Sequence, residues 1–547
     1  MTVTATGSPN TFPDVLIVGA GPCGLSVAAR LREQHPSALF TDAEQARYRW
    51  IKRHASQASI KQSRTGRTEP GKGLEAGSMR NRKPSILVLD NSGAQWLAKW
   101  TRLFDAFEIE HLRSPMFFHP DPQDRDALLA YAHTQGRSDE LVEITGCVGK
   151  EISKHKRKKR RDKGGEARAE VTIDERDRKD YFTPSSAMFQ DFCRHCVERY
   201  GLDEEHVIEQ GTVQDIKYGA VTIGSADMQV FTVRTERAMY LARTVVLATG
   251  GGTPTIPKPF SPDVAHGACH AMNLARRGLP DPSIAAKIRA RIPTNVLVVG
   301  GGLTSAQVAD CLIQRGVTKV WLLMRGQWKI KPFDVNLSWI AKFKNHQQAA
   351  FWSSDSDQER LQYVHEARNG GSITPLYSKR LKQHIASGRL SVACNRVVAT
   401  QHYDCETRSW TITTDPPSLD LPAIDYIYFA TGTQADIRSI PCLRSMHKDF
   451  PIRDVSGLPC LTDDLMWKSD VPLLVTGKMA TLQLGPGAGN LEGARQGAER
   501  VAWAIEDVLN REEPGDGDDD QRSESVSQRY VAGIGSMYES LEDDDQS

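Results

Sequence analysis

The 547-residue sequence predicts an α/β fold built on two dinucleotide-binding parallel sheets, and three observations carry that expectation. VLIVGAGPCGLSVAARL, from Val15 to Leu31, reads as a β-branched strand, a glycine turn and a small-residue helix in succession. NVLVVGGGLTSAQVADCL, from Asn295 to Leu312, repeats that order far downstream. Short apolar runs at TVVLATG, VWLLMRG, YIYFATG and LLVTG each end on glycine, where α/β sheets place their ligands.

Residues 1–13 carry neither a basic nor an apolar leader pattern, so they read as a loose end without a secretory signal. In the first copy, Gly19, Gly21 and Gly24 form G-x-G-x-x-G, with Pro22 and Cys23 inside the turn, between a strand (15–18) and a helix (25–31). The first glycine makes the turn, the second lets a pyrophosphate approach the backbone, and the third lets the helix pack on the strand. The helix N-terminus adds free N–H groups and partial positive charge for the phosphates. A second strand at SALFTD is expected to deliver Asp42 to an adenosine ribose, with Glu44 as the fallback.

Further along, Trp96, Trp100, Leu103, Phe104 and Phe107 recur at the spacing of one helix face, a pattern that fits core packing. SPMFFHP offers Phe117, Phe118 and His119 as pocket lining, against the same core alternative. Residues 154–163 hold eight Lys and Arg, which reads as a solvated insertion or as a nuclear-localisation patch. FQDFCRHCVERYGL contains Cys-x-x-Cys at Cys193 and Cys196, but on an amphipathic stretch where cysteine serves as a small buried apolar residue. Cys193, His195 and Cys196 lack a second ligand pair at finger-like spacing, so no metal site is expected.

The second copy has Gly300, Gly302 and then Thr304 and Ser305, a small residue standing where the third glycine would be. Its next strand ends in Arg325 where an acid would serve the NADH ribose. A guanidinium pairs with a 2′-phosphate, so this unit is expected to take NADPH.

Composition fits a soluble chain of two or more domains: 39% hydrophobic, 25% charged, net charge +1, and no run approaching the roughly 20 apolar residues of a membrane span. Ten scattered cysteines suit a reducing compartment, so a cytoplasmic location is expected. From Arg511 onward, 12 acids face 3 bases with few large apolar residues, which reads as a disordered tail.

Two such turns joined by ATG strands at Val246–Gly251 and Asp425–Gly432 resemble the two-dinucleotide-binding-domain flavoproteins. Order and spacing are most similar to the class B flavin monooxygenases of the N-hydroxylating lysine and ornithine type. HLRSPMFFHP and LQLGPGAGNLEGARQGA also resemble the oxidative-stress-induced growth inhibitor proteins. The resemblance implies a Rossmann-like NADPH domain (255–428) inserted into a discontinuous Rossmann-like FAD domain (14–254 and 429–508), with the acidic tail at 509–547. It implies cofactor contacts at Gly250, Gly432 and Gly477, and a helix opened by Gly485 and Gly487 whose N-terminus faces the flavin. The implied activity is an FAD-containing, NADPH-dependent monooxygenase that uses molecular oxygen, through a flavin hydroperoxide, on a nucleophilic nitrogen of a small molecule. Membrane and nucleic-acid partners are not implied. His266 and His270, beside the first ATG strand, fall where related monooxygenases keep a linker histidine. Two positions depart from the pattern: Thr433 stands where a Tyr often follows the second ATG, and Lys478 where relatives have the Asp of Gly-Asp. The alternatives are a flavin disulfide reductase using Cys193 and Cys196, and a nucleotide-binding regulatory protein without turnover.

Overall fold

The computed structural model describes residues 12–33, 59–61, 68–70, 83–148, 175–224, 226–250, 252–261, 266–340, 344–417 and 419–511. Strand β1 (Val15–Val18) is buried along its whole length and passes through the glycine turn into helix α1 (Pro22–Arg32). Beside β1 runs β2 (Ile86–Asp90), parallel, with Val15 opposite Ile86. Helices α2 (Ala98–Ala106) and α3 (Ser186–Arg199) lead to the edge strand β3 (Ile208–Gln210). An antiparallel excursion follows, β4 (Val213–Ile223), β5 (Ala226–Thr235) and β6 (Met239–Ala242). The chain then returns as β7 (Thr244–Leu247), parallel to β1 on its other side.

Here the first sheet is interrupted. The chain crosses out through β8 (Thr253–Pro254) and builds a second sheet from β9 (Ala268–His270) and β10 (Asn295–Val299), helix α4 (Leu303–Gln314) and β11 (Lys319–Leu323). Helices α5 (Lys344–Trp352), α6 (Asp357–Arg368) and α7 (Pro375–Ala386) precede β12 (Leu390–Ala393) and β13 (Tyr426–Phe429). It crosses back through β14 (Thr433–Gln434), then β15 (Met466–Lys468) and β16 (Val471–Val475) complete the first sheet, and α8 (Thr481–Leu484) and α9 (Leu491–Arg511) follow. The sheet orders are β15-β16-β7-β1-β2-β3 and β9-β13-β10-β11-β12. All pairs are parallel except β15 with β16. Central strands such as β1, β7 and β13 are buried throughout, which is why they read as unbroken apolar runs. The two crossings lie side by side, with Thr253 of β8 opposite Gln434 of β14.

One sequence expectation needs correction. The strand neighbouring β1 is not 37–42 but Ile86–Asp90, so the acid at its C-terminal end is Asp90. The spacing rule assumes a short crossover, whereas this one runs from α1 past residue 80. Asp42 and Glu44 themselves lie outside the described residues, as do the basic run 154–163 and the tail beyond Arg511. Helix α9 continues to Arg511, three residues past the expected end of the body.

The aromatic stripe packs as expected: Trp100 stacks on Phe104 at 3.6 Å and tilts against Phe189 of α3 at 5.4 Å. Phe117, Phe118 and His119 are also core. His119 Nε2–H donates to the Arg125 carbonyl at 2.8 Å, and burial, with the Arg495 guanidinium nearby, pushes its pKa down to about 3. Below its ordinary 6.5, the unfolded chain takes up a proton here that the folded chain refuses. This contribution to stability is therefore complete above that value and falls by about 1.4 kcal/mol per unit as pH drops toward the folded pKa. His119→Gln should make the decline of melting temperature between pH 6.5 and 4 shallower, and an unchanged acid limb would show that His119 is not its source.

Helix α9 lies against α1, tied by Arg30 Nε to Glu499 Oε2 at 2.6 Å with both side chains about nine-tenths buried. Removing one partner of such a pair costs about 3–5 kcal/mol, because the other charge stays buried alone. Among the described residues no helix is long and apolar enough to cross a membrane.

Candidate functional site

Each glycine turn sits at the C-terminal end of a parallel strand, and steric contacts explain its residues. Gly19 has φ +112° and no room for a side chain, since a Cβ there would lie 2.5 Å from the Ala248 carbonyl oxygen of the first ATG strand. At Gly24 a Cβ would meet the Gly19 oxygen at 2.0 Å, so α1 can approach β1 this closely only without one. Gly21 is different: nothing lies within 4 Å of the position its Cβ would take, and its φ of −78° suits any residue.

Helix α1 has no side-chain cap, and Pro22 at its start pre-sets the first turn. Helix α4 likewise has no side-chain cap. By contrast, Ser185, Ser356 and Thr374 cap α3, α6 and α7 in the usual way. The N–H groups opening α1 and α4 are therefore left for an anion. This is the fit that a dinucleotide requires, an open cradle over unpaired donors. Cys23 packs under the turn, its Sγ 3.2 Å from where a Gly477 Cβ would stand, and burial pushes its thiol up to about 12.

Asp90 closes the first turn. Its Oδ2 accepts the Ala20 N–H at 2.8 Å and its Oδ1 accepts the Ser92 N–H at 2.6 Å. Sequence spacing missed this residue, although ILVLD followed by NSG is itself a strand ending on an acid and a turn. Gly250, at the end of the first ATG strand, has φ +87° and open space around it.

In the second turn Gly300 is hemmed in like Gly19, a Cβ there falling 2.3 Å from the Ala430 oxygen of the second ATG strand. Ser305 is buried, and its hydroxyl donates to the Gly302 carbonyl at 2.7 Å, which satisfies the polar group that replaces the third glycine. Thr304, partly exposed, opens α4 beside it. Gly302 is less open than Gly21, since its missing Cβ would lie 3.9 Å from Gly371. Arg325 stands two residues beyond β11, the strand beside β10, with its side chain in solvent.

The two departures from the family pattern touch each other. Lys478 Nζ donates to the Thr433 carbonyl at 2.6 Å and lies 3.2 Å from its Oγ1, and burial lowers its pKa. Thr433 belongs to β14, so a lysine of the first domain grips the returning crossing. Gly432 just before it has open space about it and accepts from His270, whose Nδ1 takes the Met272 N–H and so leaves Nε2 as the donor, 3.1 Å away. His270 is a satisfied, buried link to the second ATG turn, and His266 is exposed. Gly485 and Gly487 follow α8 and lead into α9 as expected, Gly487 facing Glu492.

Cys193 and Cys196 lie on one buried face of α3, 2% and 0% exposed, and burial raises both thiols. An exchange-active pair needs exposure and a depressed pKa, so this pair fits core packing. Among the described residues no cluster suited to a metal ion is present.

Residues 178–434, a little under half of the chain, match the family model of L-lysine 6-monooxygenase/L-ornithine 5-monooxygenase. In fold the chain is similar to ornithine hydroxylase from Pseudomonas aeruginosa, with 15% identity, TM-score 0.58 and 91% of this chain and 100% of that one covered. It is similar to the Kutzneria sp. 744 ornithine N-hydroxylase with reduced FAD, NADP⁺ and L-ornithine, at 15% identity, TM-score 0.58 and 92% and 100% coverage. It is also similar to the FAD-bound cadaverine monooxygenase from Erwinia amylovora, at 13% identity, TM-score 0.56 and 91% and 95% coverage. No curated protein matches the sequence. The resemblance drawn from the two turns therefore extends to the whole α/β architecture, sheet within sheet.

Proposed function

We propose that the chain is an FAD-containing, NADPH-dependent monooxygenase that hydroxylates a nucleophilic nitrogen of a small amine. The observation that carries this reading is the pair of uncapped, glycine-opened helices at the C-terminal edges of two parallel sheets, coupled by the β8·β14 crossing. When bound, FAD supplies acceptance of hydride from NADPH and activation of oxygen. The protein's own residues bind, orient and enclose.

FAD would be held by the domain formed by residues 14–254 and 429–508, with Gly21, Pro22 and Cys23 at the α1 N-terminus, between Gly19 and Gly24, taking its pyrophosphate and Asp90 its ribose. Gly250 would leave room along the rest of its length, Gly477 admits the Cys23 side chain beneath the turn, and the segment from Gly485 through Gly487 would present the start of α9. NADPH would be held by residues 255–428, with Gly300, Gly302, Thr304 and Ser305 at its pyrophosphate, Arg325 at the 2′-phosphate and Gly432 where the crossing returns. Lys478, through Thr433, holds that crossing against the first domain, so it orients one cofactor domain on the other. Molecular oxygen and a small amine are the remaining reactants. The net reaction takes R–NH₂, O₂, NADPH and H⁺ to R–NHOH, H₂O and NADP⁺.

Arg325→Ala should weaken NADPH about 10- to 100-fold and leave NADH nearly unchanged, since a charge-assisted hydrogen bond is worth roughly 1.5–3 kcal/mol. Titrating both nucleotides against the oxidised protein gives the comparison, and equal losses would remove Arg325 from the 2′-phosphate site.

A further inference from the structure

We propose that Arg113 of the first domain is a positioning residue for hydride transfer, because it holds the loop at the rim of the second glycine turn and so sets where that cradle stands relative to the first domain. This rests on the two-cofactor reading above and adds the residue that orients one site on the other. Residues 107–113 leave α2 and run along the inserted domain as a strap. Phe107 is buried in the inserted domain's hydrophobic core, and its carbonyl accepts the Cys311 thiol of α4 at 3.1 Å. Glu108 pairs with Arg315, just past α4, and Glu110 pairs with Arg380 of α7 at 3.0 Å. These contacts take hold of α4 near its C-terminal end.

Arg113 carries the strap to the other end of that helix. Its Nε donates to the Pro332 carbonyl at 3.1 Å, and one terminal nitrogen donates to the Lys331 carbonyl at 3.0 Å and to Ser372 Oγ at 2.8 Å. Burial pulls the pKa of this guanidinium down to about 10, so it stays charged at neutral pH and all three bonds persist. Ser372 is buried, whereas its neighbour Gly371 is exposed and stands against the glycine turn, where a Cβ on it would come 3.0 Å from both the Gly301 oxygen and the Gly302 nitrogen. Arg113 therefore reaches the opening of α4 through Ser372 and Gly371.

The same loop is tied a second time to the first domain. Asp334 accepts from Arg368 at 2.9 Å and from the Asn490 amide at 3.0 Å, and Arg368 donates to the Pro486 carbonyl at 2.9 Å, in the segment that leads into α9. The crossing itself is only two strands of two residues each, of which Lys478 pins the returning one. Ties at a crossing leave rotation about it free, so contacts away from it set the angle. Hydride transfer from NADPH to the oxidised flavin, which leaves NADP⁺ and reduced flavin, needs its reacting atoms about 3–3.5 Å apart, and a misplacement of about 1 Å costs about a hundredfold. Three directional bonds from one planar guanidinium hold such an angle closely, since hydrogen bonds weaken steeply out of line.

Two variants test this. Ser372→Ala removes the bond beside Gly371 and leaves the two carbonyl bonds in place, whereas Arg113→Met removes all three; if Arg113→Met does not fold, Ser372→Ala decides. In FAD-loaded protein without oxygen, stopped-flow mixing with a series of NADPH concentrations separates the dissociation constant from the limiting rate of flavin reduction. The limiting rate should fall about threefold or more in Ser372→Ala and about tenfold or more in Arg113→Met, with the dissociation constant within about threefold of wild type. The double variant should be no slower than Arg113→Met alone, because the two side chains act through one bond. Without nucleotide, hydrogen exchange should quicken at residues 300–303 and 369–373 in both variants and stay unchanged on β1 and β7. A weakened dissociation constant with an unchanged limiting rate, or no change in either, would overturn the proposal. Slower reduction in the variants of a protein that never yields hydroxylamine would uphold Arg113 and overturn the monooxygenase. Hydroxylamine formation with wild-type reduction rates in both variants would do the reverse, and a wild-type flavin that NADPH does not reduce would overturn both.

Discussion

Gly21→Val should fold normally and purify colourless. A Cβ at this position meets no protein atom within 4 Å and the backbone is extended, so the branch point of the new side chain is accommodated without backbone strain. It places two methyl groups in the cradle over the α1 N-terminus, where the pyrophosphate needs direct approach to the backbone. Flavin content should fall from about one per chain to below roughly a tenth, while the melting temperature matches that of wild-type protein stripped of flavin. Gly24→Ala makes the contrast. Its Cβ would fall 2.0 Å from the Gly19 oxygen, so it should lose flavin by disrupting the α1–β1 contact and lower the melting temperature as well. A yellow Gly21→Val protein would mean that FAD does not lie on this turn.

The second large effect separates the two turns. Gly302→Val should retain FAD and lose its reduction by NADPH by a factor of about a hundred or more, while dithionite still bleaches the flavin. Gly302 is extended, with φ −102°, and the nearest obstacle to a small side chain is Gly371 at 3.9 Å, so the domain accommodates the change with slight movement of that loop. A dinucleotide with its phosphates on this approach to α4 would not be accommodated. Anaerobic stopped-flow absorbance of the flavin on mixing with NADPH measures the rate. Unimpaired reduction would place the nicotinamide nucleotide elsewhere.

What the sequence made legible was local. Strand, glycine turn and helix are contiguous at Val15–Arg32 and again at Asn295–Gln314, so their steric logic is written in adjacent residues. The burial of Cys193 and Cys196 was legible for the same reason, from helical spacing. What escaped depended on partners far apart in the chain. Asp90 was hidden by a long crossover that defeats the usual spacing between the turn and the ribose acid. Lys478 looked like a loss, an acid replaced by a base, until its ammonium was found on Thr433, 45 residues earlier and at the other departure.

The central claim is that this architecture couples NADPH oxidation to transfer of one oxygen atom to an amine. One reaction tests it most directly: purified yellow protein with NADPH, dissolved oxygen and an amine, in which NADPH loss, oxygen uptake and hydroxylamine formation are followed together. The account predicts that the three proceed in equal amounts, with hydrogen peroxide a minor product. NADPH oxidation that requires a disulfide acceptor, or oxygen that appears entirely as hydrogen peroxide with every amine offered, would contradict it.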